Sequence, residues 1–282
     1  MSIRTIVRGL SALLLGFSLS FLAPIVTALY YGEPLTPFLI PSLILIGISG
    51  MLLLLIPRRS STYFTRDSFA IVTLFWTMVC IVGAVPFVLS VDGIGWVDAL
   101  FEAASGFTTT GATIYSDVEV LPKSLLLWRS LTHWLGGMGI IVLAVAVLPI
   151  LGVSGFRLMS AEAPGPDIEK LTPRISHTAR VFWIIYFGFT VVETALLIFG
   201  GMGVFDAINH TFATLATGGF STKNASIAAF NSSYIEWVVT LFMFLSGINF
   251  ALYFRALTGR FDIIRNNSEL KAYVFLFTLA VG

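Results

Sequence analysis

The chain has 282 residues, 57% of them hydrophobic and only 11% charged, with 16 Lys and Arg against 15 Asp and Glu for a net charge of +1. A soluble domain carries about 25% charged residues, so these proportions, with a mean hydropathy of +0.93, exclude a water-soluble fold. The near-neutral balance leaves no basic face for nucleic acid. The single cysteine, Cys80, excludes an intrachain disulfide framework and a Cys-based zinc site. What remains is an all-α polytopic protein embedded in a lipid bilayer.

In chain order, six segments supply the roughly 20 apolar residues that a crossing requires: Leu10–Tyr30, Pro37–Ile56, Phe69–Val91, Ser124–Leu151, Ala179–Gly200 and Tyr234–Leu257. A seventh apolar run begins near Ala272 and is still apolar at Gly282, so the polypeptide is expected to continue. The first run follows Arg4 and Arg8 like a signal peptide, but it exceeds an h-region of about 7–15 residues and no clear cleavage site follows. It is expected to be a retained helix. The charges sort by side. Thirteen of the sixteen cations, among them Arg58, Arg59, Arg66, Arg157, Lys170, Arg174, Arg255, Arg260 and Arg265, fall on the N-terminal side if the spans alternate. Positive loops stay cytoplasmic, which predicts a cytoplasmic N-terminus, with Glu33, Asp92, Asp117, Glu119, Lys123 and Lys223 outside.

The alternation holds only if Trp96–Thr113 and Val204–Ser221 do not cross. Each is too short for a bilayer, carries an acid near its start (Asp98, Asp206) and ends in Thr and Gly. Each is therefore expected to dip in from the outer side as a short helix and return as an extended stretch, and irregular backbone at membrane depth is tolerated only where protein buries it or water lines it. Shifted by 108 positions, Gly93 meets Gly201, Asp98 meets Asp206, Thr109 meets Thr217, Gly111 meets Gly219 and Gly139 meets Gly247. The repeating unit is span, re-entrant hairpin, span. The implied organisation is two N-terminal helices (1–60), a first repeat (61–152), a cytoplasmic loop (153–176), a second repeat (177–260) and the start of a third (261–282).

The Thr-Gly stretches carry the chemistry. Glycine readily visits φ > 0, so the small and hydroxylated residues around glycine in Thr108–Thr113 and Ala216–Ser221 can turn successive carbonyls toward one axis. Rings of carbonyls replace the hydration shell of a potassium ion, and the negative pole of the preceding helix favours a cation there. Two such stretches do not close a fourfold ring. A turn at the membrane surface is the competing reading of either stretch alone; two copies in matched register argue against it.

The strings SGFTTTGATIYSDVEVLPKSLLLWRSLTHWLGGMGIIVLAVAVLPILG (Ser105–Gly152), AEAPGP (Ala161–Pro166), TPRI (Thr172–Ile175) and FDAINHTFATLATGGFSTKNAS (Phe205–Ser226) resemble the TrkH family of potassium uptake subunits, within the Trk/Ktr/HKT superfamily. The resemblance covers the whole chain as the N-terminal part of such a subunit. It implies four membrane–pore–membrane repeats in one polypeptide, a homodimer in the cell inner membrane, and a filter for K⁺, the transported ion, at Thr109, Thr110, Gly111, Ala112, Thr217, Gly218, Gly219 and Phe220. It also implies a TrkA-type cytosolic partner that binds NAD(H) or ATP, with no cofactor on this chain.

Other residues are weighed beside this. Glu193, at mid-span, lies where a carboxylate is costly and by default faces the bundle interior; a structural role is favoured because the second filter needs no acid, and an ion- or proton-coupled carrier using Glu193 is the alternative. A truncated, non-conducting form is a further alternative. Glu102 and Arg129 are placed to pair behind the first filter as scaffolding, and His210 aligns with Glu102 across the repeat. Gly136, Gly137 and Gly139 permit close packing or bending, of which close packing is commoner. His133, His177 and His210 show no HExxH spacing, and neither a nucleophile–base pair nor a phosphate-binding glycine loop is present, so no enzyme is expected.

Overall fold

A computed structural model describes residues 3–56, 65–147, 171–257, 259 and 266–281. The AEAPGP string, most of the expected cytoplasmic loop, and Arg58, Arg59, Arg157, Lys170, Arg260 and Arg265 lie outside the described residues. All regular structure among the described residues is helical.

The first expected span starts earlier and is interrupted: α1 (Ile3–Phe17) and α2 (Leu22–Tyr31) are joined by a 3₁₀ turn at Ser18–Phe21. Ser18 and Ser20 donate to the Leu15 and Phe17 carbonyls, each at 2.7 Å, and such back-bonding loosens a helix locally. Gly32, at φ 70°, ends α2, and the Glu33 N–H returns to the Ala28 carbonyl at 2.8 Å, a left-handed cap that satisfies the last carbonyls. Then follow α3 (Thr36–Leu55), α4 (Thr65–Ser90), α5 (Trp96–Phe107), α6 (Lys123–Val147), α7 (Leu171–Phe199), α8 (Val204–Leu215), α9 (Ser233–Ser246), α10 (Phe250–Leu257) and α11 (Ser268–Val281). Four helical stretches are long and apolar enough to cross a bilayer, Ile3–Tyr31, Thr36–Leu55, Phe69–Ser90 and Ala179–Phe199, and α9 with α10 form a fifth if the bent pair is one span. With 25 residues, α6 also exceeds the ~20 needed.

The chain divides into two compact units, Met1–His133 with Gly219–Ser226, and Trp134–Gly218 with Ile227–Gly282. In the first, the N-terminal helices dock on the first repeat through Trp128. This fully buried ring stacks on Phe21 at 4.5 Å, meets Phe17, Phe38 and Phe107 at 6.2–6.3 Å, and donates Nε1–H to the Gly83 carbonyl at 3.0 Å. Gly83 permits this, because a Cβ there would lie 2.5 Å from the Phe107 ring. Glu33 crosses to the start of α6, accepting from the Lys123 and Ser124 N–H groups at 2.7 and 2.9 Å and from Ser124 Oγ at 2.5 Å; a carboxylate there satisfies orphan donors and opposes the positive helix pole.

In the second unit, α7, α8, α9 and α10 surround a core that includes Tyr186, Leu197, Met202, Phe242 and Phe250. Trp134 Nε1–H donates to Thr190 Oγ1 at 3.0 Å, and Tyr186 donates to the Trp134 carbonyl at 3.3 Å. Gly137 is used for close packing, since a Cβ on it would approach Ala216 Cα to 3.0 Å and Tyr186 Oη to 3.1 Å; α6 runs through it unbroken.

The sixth expected span, Tyr234–Leu257, is not one helix. α9 ends at Ser246, and α10 starts at Phe250 after an 88° bend. Asn249 Oδ1 accepts from the Ala251 N–H at 3.0 Å as the cap of the new helix. Tyrosines donate to carbonyls at the break: Tyr253 to Leu245 at 2.6 Å, beside the Ile248 N–H at 3.2 Å, and Tyr273 to Phe244 at 3.0 Å. Hydropathy counts apolar residues and is blind to this exchange of backbone for side-chain hydrogen bonds.

Candidate functional site

The two expected re-entrant helices form with the same bounds relative to the repeat. α5 and α8 have 12 residues each, about 18 Å at 1.5 Å per residue, short of a ~30 Å hydrocarbon core. Each starts after an extended glycine, Gly95 or Gly203, and carries an acid in its first turn, Asp98 or Asp206, where the positive helix pole favours it.

The hydrogen-bond frame at their C-termini repeats in register. Thr108, Thr109 and Thr110 N–H groups donate to the Ala104, Gly106 and Ser105 carbonyls at 2.9, 3.0 and 2.9 Å. Ala216, Thr217 and Gly218 donate to Phe212, Thr214 and Ala213 at 3.4, 2.9 and 2.9 Å. The backbone then takes the same unusual path twice. Thr109 and Thr217 both sit at φ 55°, followed two residues later by Gly111 at 76° and Gly219 at 90°. The left-handed region is natural for glycine, but a β-branched residue there is an outlier, of the kind held where function requires it. Gly93 at 84° and Gly201 at 91° extend the match upstream. The gap-free offset, with Gly111 opposite Gly219 and Thr110 opposite Gly218, is therefore the structural register.

The two stretches are supported differently. In the first, Thr108 Oγ1 donates to the Ala104 carbonyl at 2.7 Å and lies 2.8 Å from Thr110 Oγ1, while Ser105 Oγ donates to the Ala112 carbonyl at 2.5 Å. Thr109, Thr110, Gly111 and Ala112 belong to the first compact unit. Of the second stretch, Thr217 and Gly218 belong to the second unit, Gly219 and Phe220 to the first. Phe220 is buried beneath Arg129, whose guanidinium carbon lies 4.3 Å from the ring centroid, and stacks on His133 at 4.0 Å.

The pair anticipated between Glu102 and Arg129 forms, with Nε donating to Glu102 Oε1 at 2.8 Å, and both side chains are buried. Glu102 also accepts from Thr113 Oγ1 and from the Ile114 N–H, each at 3.0 Å. Tyr115 lies against Arg129 at 5.6 Å, and burial pushes its phenol upward, with Glu102 adding to the rise and Arg129 opposing it. Sequence reasoning named the ends of the two stretches but missed what they contact, and missed Asn224 altogether. Thr113 and Ser221 both meet Arg129, and Asn224 accepts from the Val118 N–H at 2.8 Å and donates to Asp117 Oδ1 at 2.8 Å. The clue was the offset itself, which pairs Thr113 with Ser221.

Glu193 is fully buried in α7, and among the described residues neither carboxyl oxygen has a hydrogen-bond partner. Its neighbour Thr194 donates to Thr211 Oγ1 on α8 at 3.1 Å. His210, buried in α8, meets the Phe230 ring edge-on at 5.3 Å. Among the described residues no group of three or more His, Cys, Asp or Glu could hold a metal ion.

A family profile described as TrkH, cation transport protein, matches residues 36–280. The chain belongs to the TrkH family. Over its full length it is 42% identical to the Trk system potassium uptake protein TrkH of Escherichia coli (strain K12), of which it covers 59%. It is 42% identical, over 84% of its length, to the Trk system potassium uptake protein TrkG of the same strain, covering 50% of that protein. The crystal structure of the potassium transporter TrkH from Vibrio parahaemolyticus matches with a TM-score of 0.85 and 37% identity, over 98% of this chain and 57% of that one. This TrkH-family chain thus spans under three fifths of the length of these relatives. It is a multi-pass, all-α membrane protein of a cation-transport family with pore-loop repeats.

Proposed function

We propose that this TrkH-family chain forms part of a potassium uptake pathway in the cell inner membrane, with backbone carbonyls of Thr109–Ala112 and Thr217–Phe220 as the ion ligands. One observation carries the reading: the same alternation of left-handed and right-handed residues follows the same short helix in both repeats. In an extended strand successive carbonyls point to opposite sides, whereas alternating handedness turns them to one side. A cation stripped of water then meets oxygen dipoles without a carboxylate, next to the negative poles of α5 and α8. Two stretches make half of a fourfold ring, and the rest comes from further polypeptide or a second copy. The relatives' printed names, potassium uptake protein and potassium transporter, support the choice of ion.

The excess of cations on the N-terminal side supports a cytoplasmic N-terminus. A homodimer and a TrkA-type nucleotide-binding subunit docked on those basic loops complete the proposal. The test is Gly111→Ser or Gly219→Ser in the complete transporter, expressed in bacteria lacking other potassium uptake. A side chain at these φ values is strained by about 1–2 kcal/mol, which pulls the carbonyls off their common axis, so K⁺ over Na⁺ discrimination is expected to fall. Discrimination equal to the parent's in both variants overturns the reading.

A further inference from the structure

We propose that Arg129, held by Glu102, is a positioning residue that fixes the two outer ends of the ion-lining stretches, at Thr113 and Ser221, and so sets how sharply the pathway separates K⁺ from Na⁺. The inference rests on the carbonyl-filter reading above and goes beyond the scaffolding role that the sequence suggested.

A pair serving α5 and α6 alone needs only the Nε contact to Glu102. Arg129 directs its other two nitrogens elsewhere: Nη2 donates to Thr113 Oγ1 at 3.1 Å and Nη1 to the Ser221 carbonyl at 3.2 Å. Thr113 lies two residues past Gly111 and Ser221 two past Gly219, so one planar fork grips equivalent points of both repeats. The grip is rigid for three reasons. Arg129 is 1% and Glu102 0% exposed, which removes competing water. Thr113 Oγ1 also donates to Glu102 and accepts from the Tyr115 N–H at 3.2 Å. The guanidinium lies over Phe220, which His133 supports from its stacked ring. The carboxylate balances the guanidinium charge, so the fork aligns the strands without placing a net positive charge beside a cation path.

Deleting either charge strands its partner in a buried site, so the informative variants are milder. Arg129→Lys keeps the charge and loses the fork; Thr113→Val keeps both charges and loses the shared hydroxyl. In the complete transporter, Arg129→Lys is expected to reach the membrane in parental amount, with K⁺ over Na⁺ discrimination reduced roughly tenfold, the equivalent of one charge-assisted hydrogen bond. The KM for K⁺ rises more than the maximal rate falls. Thr113→Val shifts discrimination in the same direction by a smaller factor. Uptake that drops uniformly for K⁺ and Na⁺, or discrimination within twofold of the parent, overturns the inference, provided Gly111→Ser or Gly219→Ser does change discrimination; if those glycine variants are silent too, it is the filter reading that fails. Should Arg129→Lys not accumulate, Thr113→Val alone decides.

Discussion

Two kinds of glycine act near the ion-lining stretches, and the difference is physical. Gly219 sits at φ 90° with nothing among the described residues within 4 Å of where a Cβ would stand, whereas Gly137 has an ordinary helical backbone and a Cβ position 3.0 Å from Ala216 Cα. The first position is restricted by conformation, the second by space. Gly219→Ala is therefore expected to destabilise by about 1–2 kcal/mol through backbone strain alone, measured as thermal unfolding of the purified complete protein in detergent. Replacing Gly219 by Asn, which tolerates the left-handed region, should recover much of that loss; equal losses for Ala and Asn would mean that space, not φ, restricts the position. The glycines themselves were legible in the sequence, through the 108-residue offset. The left-handed threonines beside them were not, because nothing local favours Thr at φ 55°; the surrounding structure imposes it.

At the level of elements, both short helices and their end-points follow from hydropathy, acid placement and the repeat. The bend between α9 and α10 does not, because the tyrosines that stabilise it come from α10 and α11 rather than from the residues at the break. A Cβ on Gly247 would lie 2.3 Å from the Tyr273 hydroxyl, the group that serves the Phe244 carbonyl. Gly247→Ala and Tyr273→Phe should each destabilise, the second by about 1–2 kcal/mol for a lost hydrogen bond that leaves a buried acceptor. Because the two changes act on one contact, the double variant should cost less than their sum, as a double-mutant cycle on detergent-solubilised protein will show. Strict additivity would break the link between α11 and the bend. First-repeat α6 shows the converse: its glycines looked equally able to bend, and the helix runs straight on through them.

For the whole molecule, sidedness is the property that both hairpins must respect. Within the first compact unit, Glu33 meets the start of α6, and Asn224 from the second hairpin meets Asp117 from the first. Arg8 donates to the Leu53 carbonyl at 3.0 Å and to that of Ile56. Residues expected outside therefore meet one another, and a residue expected inside meets the far end of α3. Impermeant thiol labelling in a Cys80→Ala background is expected to modify Asp92→Cys and Ser116→Cys from the same face, and Ser60→Cys from the other. Labelling of Asp92→Cys and Ser116→Cys from opposite faces would make α5 part of a crossing and remove the filter with it.

Apolar length and the 108-residue offset are properties of consecutive residues, so the chain alone determined the membrane class and the positions of both Thr-Gly stretches. The reach of Arg129 to Ser221 spans 92 residues, and the tyrosine bonds that stabilise the α9–α10 bend join different helices. No periodicity encodes such meetings. They exist only once packing has brought distant segments together and excluded the water that would otherwise satisfy the same donors and carbonyls.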